Sequence, residues 1–329
     1  DILIVLGIVG GVATTLGLGV PLVSAMIATL FEVEDSMLIK ISVLAFWTAL
    51  FGTSVYKGLK AGIKILADIN VVLAIFAILF VLVAGPGVFI LDLTVNSFGL
   101  MFSNFMSTAT WTDPIREGDF PEAWTGFYWA WWFAYTGMVG LFFGRISRGR
   151  TIRQLVLGVI TWGCIGTWLF LAVMGGYSLF LEKTGALAVT EILNSQGMSF
   201  LNALVIKSLP FGKITLAIFT VLSIIFYATT IDSSAYVISS ICAKDLENTQ
   251  EPRRWNRITW AVLLALITAG LLQADSLQTT LSMTVVSSLP MIPILILLCI
   301  SIRKWLEEDF AHLNFCLLYT SPSPRDISR

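Results

Sequence analysis

Charge is what this chain of 329 residues has least of: Asp, Glu, Lys and Arg make up 12% of it, against ~25% in ordinary globular proteins. Hydrophobic residues fill 57% of the sequence, and the mean hydropathy is +0.86. So little charge cannot cover a water-facing surface, which excludes a soluble chain and makes lipid the solvent. A single histidine, His312, excludes a centre built on several histidine ligands. Cys164, Cys242, Cys299 and Cys316 stand far apart with no CxxC spacing. In apolar runs they are small hydrophobes, and neither a disulfide framework nor a metal site follows from them. A net charge of −1 offers no basic surface for nucleic acid. The apolar runs also carry no clustered His/Cys set, no paired carboxylates and no nucleophile–base pair, so an enzyme is disfavoured and no organic cofactor is implied.

What the chain does have is long apolar runs. A hydrocarbon core of ~30 Å takes about 20 residues of helix. Eight segments suit: 2–31, 37–56, 69–91, 124–144, 155–181, 214–243, 258–273 and 277–302. An all-α integral membrane fold is the default, because lipid offers no partner to a free backbone N–H or C=O. Positive charge alternates between the connections. Lys57, Lys60, Lys64, Arg145, Arg148, Arg150, Arg153, Lys244, Arg253, Arg254, Arg257, Arg303 and Lys304 fall in one set, and only Lys40, Arg116, Lys183, Lys207 and Lys213 in the other. The positive-inside rule puts the first set in the cytoplasm, with Glu32, Glu34, Asp35 and the connection 92–123 outside. The stretches 93–106 and 190–208 mix apolar and small polar residues and suit helices lying along the interface. Pro86, Pro290 and Pro293 are expected to kink their helices. Gly10, Gly11, Gly17 and Gly19, with Gly137, Gly140 and Gly144 on the fourth span, allow close helix approach or local unwinding.

The chain opens at Asp1 within an apolar run and reads as N-terminally truncated. Near its end, CLLYTSPSPRD (residues 316–326) is polar and Pro/Ser-rich and matches one reading frame of a transposase adapter used in sequencing libraries; the alternative is a short disordered tail. The expected organisation is a membrane domain over 1–309 and a non-native or disordered tail over 310–329, with Cys316 onward translated adapter.

The most unusual stretch is WTGFYWAWWFAYTGMVGLFFGRISRGRTIR, residues 124–153. On a helix Phe127, Trp131 and Tyr135 fall at i, i+4 and i+8, and Trp132 adjoins them, so the four can form one aromatic wall. An interfacial belt accounts for Trp124 and Tyr128 but not for rings two to three turns deeper. Packing against neighbouring helices is one alternative. The other is a cage: a trimethylammonium group has no proton to donate and is held by aromatic faces at ~0.5–2 kcal/mol each. The loop Arg145, Arg148, Arg150, Arg153 either sets orientation by charge or also touches anionic lipid. Further on, Phe226, Thr229, Thr230, Asp232, Ser233 and Ser234 share one span. Their hydroxyls either bond back within their own helix or offer oxygen ligands to a hard cation. Asp232 is an ionisable residue within a span, fit for gating or for helix packing.

WTGFYWAWW followed by GRISRGRTIR resembles the signature of the betaine/choline/carnitine transporter family, and ATTLGLG (13–19), the stretch 58–70 and FYATTIDSSAYVISS (226–240) carry the likeness along the chain to about Asp309. The resemblance implies a 12-span fold whose ten central spans form two inverted repeats of five, with spans five to twelve present here. It implies secondary, cation-coupled transport of a quaternary ammonium solute or a sulfonium analogue across the plasma membrane, and a homotrimer. It places the aromatic box at Trp131, Trp132 and Tyr135 with Phe127 nearby, and a sodium site at Thr229, Thr230 and the Phe226 carbonyl, a proton being the other possible coupling ion. Tryptophan in place of Tyr135 marks glycine-betaine carriers and tyrosine carnitine-type ones, which widens the expected cargo. A second sodium site of such carriers falls on Ile8, Val12 and Met138, which ligate sodium poorly, so one coupling ion is expected. A non-transporting osmolyte sensor on the same fold is the competing reading.

Overall fold

The computed structural model describes residues 1–57, 60–115, 118, 120–147, 149–244, 251–274 and 277–309, and every regular element among them is helical. The expected tail over 310–329 lies outside the described residues. The first helices are α1 (Ile2–Phe31), α2 (Met37–Lys57), α3 (Lys60–Ala84), α4 (Gly87–Ser103) and the short α5 (Phe105–Ala109). A π-helical turn, Pro121–Thr125, leads into α6 (Gly126–Ile146). Helix α7 (Ile152–Phe170), a second π-helical turn and α8 (Gly176–Thr184) join into one rod, followed by α9 (Val189–Lys207), α10 (Gly212–Ile241), α11 (Arg254–Gln273), α12 (Leu277–Ser288) and α13 (Met291–Asp309).

Among the described residues, five segments can cross a bilayer by length and composition: α1, Ala67–Ala84 of α3, the rod Ile152–Thr184, α10 and α11; α12 and α13, bent by 41° at their junction, add a sixth if they act as one span. Among the described residues this measure gives fewer than the expected eight, and α2 and α6 are the two expected spans it leaves out. For α2 (21 residues) the described residues give an apolar stretch over Met37–Thr53. Helix α6 draws its bulk from Trp and Tyr, whose polar N–H and O–H edges lower hydropathy although the rings are large. The expected span 69–91 is also corrected: α3 stops at Ala84 and α4 begins at Gly87, with the Gly87 N–H bonded to the Gly85 carbonyl at 2.9 Å. Pro86 thus separates two helices instead of kinking one, and α4 takes in most of the expected interfacial stretch 93–106. Pro290 lies at the bent junction, whereas Pro293 falls in the first turn of α13, where a missing N–H leaves no bond unmade. The expected interfacial stretch 190–208 is α9, broken at Gly197 (φ 82°).

Helix α1 is the centre of the assembly, packing against α2, α6, α9, α10, α11 and α12. Two apolar cores flank it. One joins α1 to α2, α10 and α11 around Trp47, Leu16, Ile231 and Leu264; the other joins α3, α4, α8, α9 and α10 around Val81, Ile90, Ala203 and Leu216. Glycine lets α12 reach α1: a Cβ on Gly10 would lie 1.9 Å from Ser287 Oγ, and one on Gly17 2.9 Å from Thr280 Cγ2. On α6 the expected close approach holds for Gly137, whose Cβ would meet Ile4 at 2.6 Å, but Gly140 and Gly144 face no neighbour among the described residues. Ion pairs gather the residues expected outside at one end: Glu32 meets Lys213 at 2.9 Å and Lys207 at 3.8 Å, and Asp35 meets Lys40 at 4.0 Å.

Candidate functional site

Helical spacing puts Phe127, Trp131 and Tyr135 on one face of α6, and their rings form a continuous wall. Phe127 stacks on Trp131 with centroids 5.4 Å apart, and Trp131 meets Tyr135 edge to face at 6.0 Å. The wall is pinned to α1. Trp131 Nε1 donates to the Gly11 carbonyl at 3.3 Å, and Thr15 Oγ1 donates to the same oxygen at 3.0 Å. The one hydrogen of Thr15 being spent there, the Tyr135 hydroxyl is the donor in its 2.7 Å bond to Thr15 Oγ1. Gly11 makes this possible, because a Cβ there would sit 2.9 Å from the Tyr135 ring.

Across from the wall stands α10. Trp131, Tyr135 and Thr15 share a cavity of about 420 Å³ with Phe226, Tyr227, Thr229, Thr230 and Ser233. The aromatic stripe and the hydroxyl cluster, far apart in sequence, therefore line the same space. A second cavity of about 780 Å³ runs from Phe127 and Trp124 to Glu34, Asp35 and Lys40, at the end assigned to the outside. Leu18, Trp131 and Tyr227 border both cavities and form the wall between them.

Two of the expected substrate-site residues, Trp132 of the box and Phe127 beside it, sit differently. Trp132 is 56% exposed and packs on Trp129 at 5.3 Å and Tyr128 at 6.2 Å, outside the inner cavity. Phe127 is buried and borders only the outer one. Thr15, Leu18 and Tyr227 line the site without having been singled out. Thr15 lies in the ATTLGLG run and Tyr227 directly follows Phe226, so both were in view, but nothing in their spacing said which helix they would face.

The hydroxyls of α10 bond back along their own helix: Thr229 and Thr230 donate to the Phe226 carbonyl at 2.7 and 3.2 Å, and Ser233 to the Thr229 carbonyl at 2.9 Å. Each keeps oxygen lone pairs, so back-bonding and cation ligation are compatible. Ile8 and Val12 are fully buried, and Met138 sulfur accepts from Ser234 at 3.5 Å; those three positions put apolar carbon and a thioether where a second sodium would need oxygen.

Asp232 has a partner the sequence did not reveal. Arg257 of α11 donates to its carboxylate at 2.9 Å and lies over the Tyr236 ring at 5.2 Å from its centroid. In the basic loop Arg148 lies outside the described residues, as does the side chain of Arg145, while Arg150 and Arg153 are exposed. The loop's shape follows from its sequence: Gly149 takes φ 78°, and Thr151 with Gln154 forms a capping box that starts α7.

The profile of the betaine/carnitine/choline family of transporters matches residues 1–311. The chain is 31% identical over 312 residues to a carnitine transporter of Acinetobacter baumannii, covering 94% of this chain and 57% of that protein. It is 33% identical over 326 residues to the high-affinity choline transport protein of Escherichia coli K12, covering 98% and 48%. To a glycine betaine transporter of Acinetobacter baylyi it is 32% identical over 319 residues, covering 94% and 46%. The chain spans about half the length of these curated relatives.

Proposed function

The chain belongs to the betaine/carnitine/choline transporter family, and on that premise we propose that it takes part in secondary transport of a small quaternary ammonium solute, with its cationic head held in the inner cavity against Trp131 and Tyr135. The family is one of multi-pass plasma-membrane transporters, not enzymes. The observation that carries the reading is the meeting of aromatic faces and hydroxyl oxygens on one open-sided cavity of about 420 Å³ between α1, α6 and α10. Ring faces replace the water around a cation with no proton to donate, at ~0.5–2 kcal/mol per ring. The relatives named for carnitine, choline and glycine betaine support that class of cargo.

Coupling to one cation is part of the proposal. The Phe226 carbonyl, Thr229 Oγ1 and Thr230 Oγ1 lie within 3.2 Å along the hydrogen bonds that join them, and oxygens of this kind suit a hard ion such as sodium. A bound ion would supply positive charge beside the hydroxyls and favour the loaded state. Translocation would proceed by rocking of one helix group against another. No particular observation favours a non-transporting sensor.

The test is counterflow uptake of labelled betaine, choline and carnitine in proteoliposomes carrying the product of the full open reading frame, with and without sodium. Trp131→Leu should abolish uptake while membrane insertion persists, and Thr230→Ala should raise the sodium concentration needed. Uptake untouched by Trp131→Leu would remove the cage, and indifference to sodium in both proteins would remove the ion site.

A further inference from the structure

The hydrogens lining the inner cavity can be followed one by one. Thr15 and Trp131 give theirs to the Gly11 carbonyl, and Tyr135 gives its own to Thr15. Thr229 and Thr230 give theirs to the Phe226 carbonyl, and Ser233 to the Thr229 carbonyl. What these groups present to the cavity is therefore lone pairs and ring faces, which suit a cation and offer no donor to a carboxylate. Tyr227 is the exception. Among the described residues its hydroxyl has no hydrogen-bond partner, although the ring borders both the inner and the outer cavity.

The ring itself is firmly set. A Cβ on Gly19 would lie 2.3–2.7 Å from the edge of the Tyr227 ring, so glycine alone lets the phenol lie against the backbone of α1. On α2, the fully buried Trp47 packs against the same ring at 5.2 Å, and Phe226 meets it edge-on at 5.5 Å. A fixed O–H donor with no hydrogen-bond partner among the described residues, in a cavity whose other polar hydrogens are already spent and whose remaining lining is aromatic and aliphatic, recognises what aromatic faces cannot: a carboxylate or a hydroxyl on the solute. We propose that Tyr227 donates the hydrogen bond that binds the polar end of the solute and so sets its preference for zwitterions over plain ammonium ions. This rests on the quaternary ammonium reading above. A carboxylate, being charged, gains most from the donor, a hydroxyl less, and a tetraalkylammonium ion nothing.

Tyr227→Phe removes the hydroxyl and keeps the ring. In proteoliposomes carrying the full reading frame, the variant should raise KM for glycine betaine and carnitine about tenfold or more, the loss expected for a hydrogen bond to a charged group. KM for choline should rise less, and inhibition by tetramethylammonium, which has no polar end, should not change. An unaltered KM for the carboxylated solutes overturns the proposal, and so does an equal loss for tetramethylammonium, which would mean that the ring had moved. If the unmodified protein neither transports nor is inhibited by any of these compounds, the quaternary ammonium reading fails first and this inference with it.

Discussion

Helix α1 and the rod Ile152–Thr184 are near twins in length, 30 and 33 residues, and both are strongly apolar, yet 67% of the most apolar window of α1 is buried and only 6% of the rod's. Glycine content does not separate them, since both are rich in it. What differs is what the glycines meet. A side chain at Gly10, Gly11, Gly17 or Gly19 of α1 would strike Ser287, Tyr135, Thr280 or Tyr227, whereas at Gly158, Gly163, Gly166 and Gly175 of the rod it would find open space within 4 Å. The hydroxyls differ in the same way. Thr14 of α1 donates to the Thr280 carbonyl at 3.0 Å and accepts from Thr284 at 2.5 Å, both across to α12. In the rod Thr167, Ser178 and Thr184 bond back to their own helix. Lipid tails are as apolar as leucine, so hydropathy cannot sort helices inside a bilayer; close backbone approach and bonds between helices do.

The comparison extends to charge, and there the largest effect is expected. The rod keeps its charged residues at its ends, Arg153, Glu182 and Lys183, while α10 carries Asp232 within its length, paired with Arg257 with side chains only 15% and 12% exposed. Asp232→Ala leaves the guanidinium uncompensated and should cost about 3–5 kcal/mol, measured as a loss of thermal stability in detergent. Asp232→Ala combined with Arg257→Leu should recover most of that loss. A single variant as stable as the parent protein would show that the pair does not hold α10 to α11.

Next in size are the glycines. Gly19→Ala forces the Tyr227 ring off the α1 backbone and should destabilise by about 1–3 kcal/mol. Gly163→Ala fills open space and should change stability by no more than about 0.5–1 kcal/mol, in the stabilising direction, because alanine is the better helix former. Equal losses from the two substitutions, read in the same melting experiment, would break the contrast between the inner and outer helices.

Local features of the sequence were legible, while features that depend on a second helix were not. Phe127, Trp131 and Tyr135 fall on one face because the helical period says so, and the turn at Gly149 and Thr151 reads directly from its residues. Adjacent residues such as Trp131 and Trp132 differ by ~100° around the helix, and only the Gly11 carbonyl decides which of them turns toward α1. Arg257 registered as one more cytoplasmic charge, since its partner lies 25 residues away on another helix. The break at Gly85 and Pro86 was visible, but a kink and a stop have the same residue signature until the following helix is placed. Helix α6 shows the limit of counting spans by hydropathy: its aromatic residues build the candidate site and also lower the score by which a span is recognised.

The smallest expected effect lies where α1 stops resembling its own buried middle. At Glu32 the chain leaves the helix with φ 57°, and the carboxylate meets Lys213 at 2.9 Å and Lys207 at 3.8 Å. The hydrogen bond and charge of Lys213, then the charge of Lys207, hold its pKa below the ordinary 4.5. A carboxyl lowered in the folded state stabilises above its unfolded pKa, and that contribution disappears as pH falls through the folded value. The glutamate side chain is 61% exposed, so the contribution is small and screened by salt. Acidifying from about pH 6 to about pH 3.5 should therefore lower the melting temperature of Glu32→Gln slightly less than that of the parent protein, and ~1 M salt should erase the difference, as screening on a ~3 Å scale requires. Identical acid sensitivity at low salt would mean that the charge of Glu32 contributes nothing to holding this end of α1.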